Sequence, residues 1–186
     1  LCTQFPQPFQ TWLAQSLSHL QTDTLQTLWH VLPKSFKQTP SLFIAWTQAL
    51  HQQGQILQAL PLLKKAIKQT EHPEIIAHAG LVWPERHLED AVKRFERVQK
   101  HLNCPEITLG LARLHQRQKH YSQASALYQD IEDFIKTQGP ALCLETALIY
   151  YDAGQVKQAY IWSNTAQQQL SAMGICPMVR DPHINT

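Results

Sequence analysis

A six-residue pattern recurs four times along the chain at nearly constant spacing. Each copy has a turn residue or a substitute for one, an apolar residue two positions later, and an alanine three positions beyond that. The alanines follow one another at intervals of 32, 33 and 35 residues. A period near 34 residues accommodates two helices and restricts the chain to an array of similar helical units. The copies are Gly54-Gln-Ile-Leu-Gln-Ala59, Arg86-His-Leu-Glu-Asp-Ala91, Lys119-His-Tyr-Ser-Gln-Ala124 and Gly154-Gln-Val-Lys-Gln-Ala159.

The alanines of the pattern indicate where helices cross. Two helices approach closely only where the side chains at the contact are small. Positions 66, 98, 131 and 166, seven residues beyond each alanine, extend the same stripe by two turns. Pro40, Pro105 and Pro140 indicate helix starts. Proline has no backbone N–H, and at the first position of a helix this N–H would have no partner within the helix. Thr39, Cys104 and Gly139 are then the predicted N-caps.

The composition predicts an all-α fold. The chain has 186 residues with six Gly and eleven Pro, and apolar residues recur three and four apart almost throughout. Alternating β-branched runs, which are typical of strands, are not found. The predicted helices span about 8–20, 23–32, 41–53, 56–70, 74–82, 88–102, 105–118, 121–137, 140–153 and 156–172.

The chain has two helices per repeat, turn glycines, and small residues where the helices cross. In these features it resembles the tetratricopeptide repeat family, over about residues 40–172. The resemblance implies an α-solenoid of antiparallel helix hairpins. Trp83-Pro84 departs from it and predicts a short helix followed by an irregular loop. Trp12 and Trp29 are the expected packing anchors before the array. The predicted domains are a degenerate hairpin (1–39), four repeats (40–71, 72–104, 105–139 and 140–173) and a tail (174–186).

A narrower resemblance lies at the junctions between repeats. Three stretches carry it: Leu25-Gln-Thr-Leu-Trp-His-Val-Leu-Pro-Lys34, Pro40-Ser-Leu and Cys104-Pro-Glu-Ile-Thr-Leu-Gly-Leu-Ala-Arg-Leu114. Together they are similar to the C-terminal repeat region of bacterial HemY proteins. That family implies a scaffold linked to late haem biosynthesis. It also implies an anchor upstream of Leu1 and a repeat domain at the cytoplasmic face of the inner membrane.

Enzymatic, metal and nucleic-acid functions are not indicated by the sequence. It has no phosphate-binding glycine loop, no GxSxG and no HExxH, so we expect no catalytic residues. Its four cysteines form no CxxC pair, and its histidine pairs lack the spacing of a metal site, so we expect no metal. Sixteen basic against fourteen acidic residues give no concentrated basic footprint for DNA or RNA.

The binding surface is predicted on the first helix of each repeat, which in this architecture faces a concave groove. A protein or peptide partner is the expected ligand. Arg113 and Arg117 lie one helical turn apart and are able to hold a carboxylate or phosphate; alternatively, they only solubilise a helix face. The predicted groove residues are Gln48, His51, Gln52, Arg113, Gln116, Arg117, Leu148 and Tyr151.

Two other functions stay open at this point. A haem or porphyrin carrier is one, because the Cys-Pro pairs at 104 and 176 have the form of an axial thiolate ligand. Cys176, in the tail, is the less constrained of the two and is the candidate cofactor ligand. A repeat-type chaperone for secretion or pilus assembly is the other. The aromatic pairs Tyr150-Tyr151 and Tyr160-Ile-Trp162 are expected to form an uncovered apolar end.

Overall fold

The computed structural model describes residues 16–17, 22–33, 37, 39–69 and 72–175. Within these ranges the chain is helical with no strand, so the all-α prediction is confirmed. The described ranges contain ten α-helices: α1 (Thr22–Val31), α2 (Pro40–Gln52), α3 (Leu60–Gln69), α4 (Pro73–Val82), α5 (Leu88–His101), α6 (Pro105–Arg117), α7 (Tyr121–Asp130), α8 (Glu132–Gln138), α9 (Pro140–Asp152) and α10 (Val156–Ala172).

The turns at three of the four repeat positions share one backbone geometry. Gly54, Lys119 and Gly154 all adopt positive φ, at 70°, 62° and 75°. After each of them, the next amide N–H reaches back to the carbonyl five residues earlier: Gln55 to Leu50 at 2.8 Å, His120 to His115 at 2.9 Å and Gln155 to Tyr150 at 2.7 Å. This is the Schellman ending of a helix, which glycine accommodates at least cost. The repeat seen in the sequence is therefore also a repeat of local structure.

The pattern's alanines lie at helix contacts, as their size predicted. Ala59, Ala91, Ala124 and Ala159 are all buried. The helix starts also agree with the sequence, since Pro40, Pro105 and Pro140 each open a helix. Thr39 and Gly139 occupy the N-cap positions before two of these helices, without a side-chain cap.

Three predicted segments differ in detail. The stretch 121–137 is not one helix, because the chain leaves the α conformation at Ile131 and divides into α7 and α8. The stretch 56–70 begins with a 3₁₀ turn (Ile56–Gln58), and α3 starts only at Leu60. Helix α4 does end at Val82, just before Trp83-Pro84, which confirms the predicted short helix. The expected irregular loop is instead a 3₁₀ turn, Glu85–His87.

The chain forms two compact units, residues 1–114 and 115–186. In the first unit, Trp29 stacks on Trp46 with ring centroids 4.0 Å apart, which confirms Trp29 as a packing anchor. Trp12 lies outside the described residues. Further along this unit, Trp83 meets Phe95 edge to face, and the Trp83 indole N–H donates to the His87 carbonyl at 3.1 Å.

The second unit is centred on the hairpin of α9 and α10, which pack along their length. Tyr128 on α7 is fully buried, and its hydroxyl donates to Glu145 Oε1 on α9 at 2.5 Å. Gln155 and Ser125 form a further side-chain hydrogen bond of 3.2 Å. Together these contacts fix the orientation of α9, so its outward face is a defined surface.

Candidate functional site

The predicted groove residues fall in both units, and each unit is described by itself. In the first, Gln48 and His51 are half-buried and Gln52 is exposed, all on the last turns of α2, while Arg113 is half-buried on α6. In the second, Gln116 and Arg117 are half-buried, and Leu148 and Tyr151 are exposed. That these two sets line one groove stays a prediction. Cys176, the candidate haem ligand, lies outside the described residues.

A polar cluster in the first unit joins α2, α4 and α6. The Thr47 hydroxyl lies 3.0 Å from His78 Nε2, and both side chains are buried. Thr47 also donates to the Phe43 carbonyl on its own helix at 2.9 Å. Arg113 Nη1 donates to the Ala77 carbonyl at 3.0 Å, next to His78 in the chain. The Arg113 guanidinium is therefore bound to the backbone of a neighbouring helix, which gives it a structural role.

His78 is held neutral in this cluster. Burial is the largest cause, and the positive charges of Arg113 and His51 add to it, so that the pKa falls from its ordinary 6.5 to about 4. The cluster thus places a neutral imidazole between a hydroxyl and a guanidinium.

The second unit carries an apolar stripe on α9, formed by Leu144, Leu148 and Tyr151. The exposed fractions of these side chains are 44%, 62% and 66%. Their spacing of four and three residues places them on one helix face. The opposite face of α9 is buried through residues such as Leu142 and Ile149. The helix is therefore apolar on both faces, although only one of them is covered.

Sequence reasoning identified two of the three stripe residues. Leu148 and Tyr151 were predicted from helix phase, whereas Leu144 was missed. The signal was present, because Leu144 precedes Leu148 by one helical turn and repeats the same face. Of the aromatic residues expected at an uncovered end, Tyr151 and Tyr160 are exposed, but Tyr150 and Trp162 are each only 2% exposed. The expectation was wrong for these two, since they form part of the packed interior.

The thiols of the described residues are protonated. Burial raises the pKa of Cys104 and of Cys143 above the ordinary thiol value, although Lys136 opposes the rise at Cys143. A raised pKa disfavours the thiolate that would ligate haem iron. Within the described ranges, no group of three or more His, Cys, Asp or Glu is placed to hold a metal ion.

No known protein family, curated protein or solved structure matches this chain. Among the helices of the described ranges, none is both long enough and apolar enough to cross a bilayer.

Proposed function

We propose that this protein is a non-catalytic interaction scaffold of the tetratricopeptide type, whose first-helix surfaces bind a partner protein or peptide. The observation that supports it is the stripe of Leu144, Leu148 and Tyr151. Exposed large apolar residues in a row on a fixed helix are characteristic of interaction surfaces. An amphipathic partner helix would bury its own apolar face there.

The energetics favour Leu148 and Tyr151 as the main contacts. Full burial of a Leu side chain stabilises by about 2 kcal/mol, and an interfacial Tyr adds a large apolar area with a polar tip. Of the three stripe residues, these two are the most exposed, so a partner would bury the most accessible surface there. A charge introduced at position 148 would be left unpaired against the apolar partner, which adds a desolvation cost.

The setting of the scaffold is part of the proposal and is supported by sequence resemblance alone. The resemblance of its sequence to HemY proteins supports a setting at the cytoplasmic face of a bacterial inner membrane, in late haem biosynthesis. Its partner would then be an enzyme of tetrapyrrole metabolism.

The test is a pull-down from the cells that produce the protein, with three versions of the 186-residue chain as bait: wild type, Leu148→Glu and Ile161→Glu. Ile161 is the matched control, because it is a large apolar residue that is 53% exposed but lies on α10 and is not part of the stripe. We expect a discrete partner that wild type and Ile161→Glu retain and Leu148→Glu loses. Equal recovery by all three would rule out the stripe as the binding surface. Recovery of only a coloured, haem-containing complex would indicate that the protein is a haem carrier and not a scaffold.

A further inference from the structure

One face of α10 is open, although the matching face is covered in the earlier copies of the six-residue pattern. Four residues beyond the pattern's alanine, the first three copies carry large, buried side chains and the fourth carries an exposed serine: Leu63, Phe95, Tyr128 and Ser163. Three residues before the alanine, Ile56 and Leu88 are buried, whereas Val156 is 61% exposed. The outer face of α10 consists of the exposed residues Val156, Tyr160, Ser163 and Gln167.

Two hydrogen bonds show what covers the matching face in earlier copies. Gln99 on α5 donates to the Thr108 hydroxyl on α6 at 3.1 Å. The Tyr128 hydroxyl on α7 donates to Glu145 on α9 at 2.5 Å. In both cases the cover comes from the next helix that begins with a proline, and the contact lies three or five residues after that proline. The outer face of α10 therefore has the form of a surface that receives the start of one more such helix.

The starts of the proline-led helices share a short sequence. Helices α2, α4, α6 and α9 each begin with a proline, and the second residue after it is a buried aliphatic one. The pairs are Pro40 and Leu42, Pro73 and Ile75, Pro105 and Ile107, and Pro140 and Leu142. The prolines follow one another at intervals of 33, 32 and 35 residues. Beyond Ile175, outside the described residues, the sequence repeats the pair as Pro177 and Val179, at an interval of 37 residues.

The end of α10 brings the chain close to its own outer face. Gly174 has a positive φ of 75°, and the N–H of Ile175 donates to the Leu170 carbonyl at 3.0 Å, which is again a Schellman ending. The end of α10 lies beside the start of α9, because Cys143 Sγ is 3.6 Å from Gln169 Oε1. Pro177 follows Ile175 by two residues, and each residue spans at most about 3.5 Å. A segment that begins at Pro177 therefore starts within reach of this face.

The sequence also limits how long such a segment could be. Pro182 lacks the N–H that a helix needs, and its ring clashes with the carbonyl four residues earlier, so a regular helix from Pro177 would end at residue 181. Pro182 also stands five residues after the starting proline, as Glu145 does in α9. It would thus come opposite Ser163, where the small side chain leaves room for the proline ring.

We propose that residues 177–181 form a helical turn that packs on the outer face of α10, with Val179 buried against it and Arg180 opposite Gln167. The second contact corresponds to that of Thr108 with Gln99, and the Arg180 guanidinium is able to donate to the Gln167 amide oxygen. The occupant of the open face is thus a segment of the same chain. This inference goes beyond the proposed scaffold function and needs no partner protein, so that either proposal can fail alone.

Photo-crosslinking within the purified 186-residue chain tests the contact. A benzophenone amino acid is placed at position 167, or at position 168 as the matched control. Both positions are exposed glutamines equally close in sequence to the segment, but they point about 100° apart around the helix. Mass spectrometry of chymotryptic peptides locates the crosslink. We expect a crosslink to residues 177–182 that is several-fold more abundant from position 167 than from position 168. No such crosslink from position 167, or equal yields from both, would overturn the proposal.

Two serine variants at neighbouring positions test which side chain is buried. Val179→Ser removes an aliphatic contact, which should lower the docking equilibrium constant about tenfold and the crosslink yield from position 167 several-fold. Met178→Ser is the control, because the residue directly after the starting proline is exposed at Ser41, Glu74 and Ala141. It should leave the yield unchanged. Equal losses in the two variants, or no loss in Val179→Ser, would contradict the proposal.

Dilution of the protein distinguishes the same chain from a second copy. A crosslink within one chain keeps its yield on dilution and runs at the mass of the monomer, which is the expected result. A crosslink that declines on dilution and runs at twice that mass would show that a second copy covers α10, and would overturn the proposal.

Discussion

Gly80 on α4 and Gly110 on α6 face one another at a helix crossing so close that neither position has room for a side chain. A Cβ built on Gly80 would lie 2.8 Å from the Cα of Gly110 and nearer still to its carbonyl oxygen. A Cβ on Gly110 would lie 2.9 Å from the Ile76 carbonyl oxygen. These glycines are not turn residues. They set the distance between two helices of the first unit, which in turn brings Arg113 to Ala77.

The first prediction concerns this crossing. In an ordinary helix, Gly→Ala stabilises by about 1 kcal/mol because alanine loses less backbone entropy. At Gly80 the new methyl meets backbone atoms that do not move aside, so we expect Gly80→Ala to lower the free energy of unfolding by about 1–3 kcal/mol. Urea denaturation measures it. Ser163→Ala, on the exposed face of α10, is the control and should be nearly neutral. A stabilising Gly80→Ala would show that the helices are not in contact there.

The second prediction concerns the pH dependence of stability. His78 has a folded pKa of about 4, against 6.5 when unfolded. Between these values the unfolded chain binds a proton that the folded chain does not, so stability rises with pH across this window. The full contribution is present above pH 6.5, and it is lost progressively as the pH falls towards 4. The shift corresponds to a stability difference on the order of 3 kcal/mol.

The measurement is urea denaturation at pH 7 and pH 4.5 for wild type and His78→Gln. The glutamine keeps polar atoms near Thr47 but has no proton to gain. We expect the loss of stability on acidification to be clearly smaller in the variant. Equal losses in both proteins would mean that His78 does not carry the pH dependence.

The sequence predicted most of the helices and the turns at Gly54, Lys119 and Gly154, because these depend on local signals. A turn residue, a proline at a helix start and apolar residues at helical spacing act within a few positions of themselves. Pro61 was an overlooked local signal. Proline has no N–H for the carbonyl four residues earlier, here that of Leu57, and its ring clashes with that carbonyl, so a regular helix from 56 through 61 was not available.

The break at Ile131 had no such signal. Neither proline nor glycine stands near it, and the apolar positions 128, 131 and 135 continue a helical spacing. Tyr128, Ile131 and Ile135 are all buried in the second unit, so the two helices keep these side chains in the core despite the break. The candidate sites divide in the same way. Helix phase predicted Leu148 and Tyr151, whereas the His78 cluster and the Trp29–Trp46 stack arise from residues that only the folded chain brings together.

The third prediction concerns the contact that orients α9. Replacing Tyr128 by Phe removes the hydroxyl that donates to Glu145 and keeps the buried ring. We expect the free energy of unfolding to fall by about 1–3 kcal/mol, the range for a hydrogen bond to a charged group. Tyr160→Phe, at a side chain that is exposed, should leave stability unchanged. Thermal and urea unfolding of both variants compare them, and a loss no larger for Tyr128→Phe than for Tyr160→Phe would contradict the assigned role.

The fourth prediction separates binding from folding on α9 itself. Because Leu148 is mostly exposed, Leu148→Glu should change the free energy of unfolding by no more than about 0.5 kcal/mol. Urea denaturation is again the measurement. A loss of several kcal/mol would show that the leucine belongs to the core. Loss of a partner by this variant would then reflect unfolding, and not a missing contact.

The central claim, that the α9 stripe is a surface for a protein partner, is tested most directly by site-specific photo-crosslinking. A benzophenone amino acid is placed at position 148, or at position 161 as the control, and the full chain is irradiated in lysate of its own cells. We predict one discrete adduct of higher mass from position 148 that position 161 does not give. The same adducts from both positions, or none from position 148, would contradict the account.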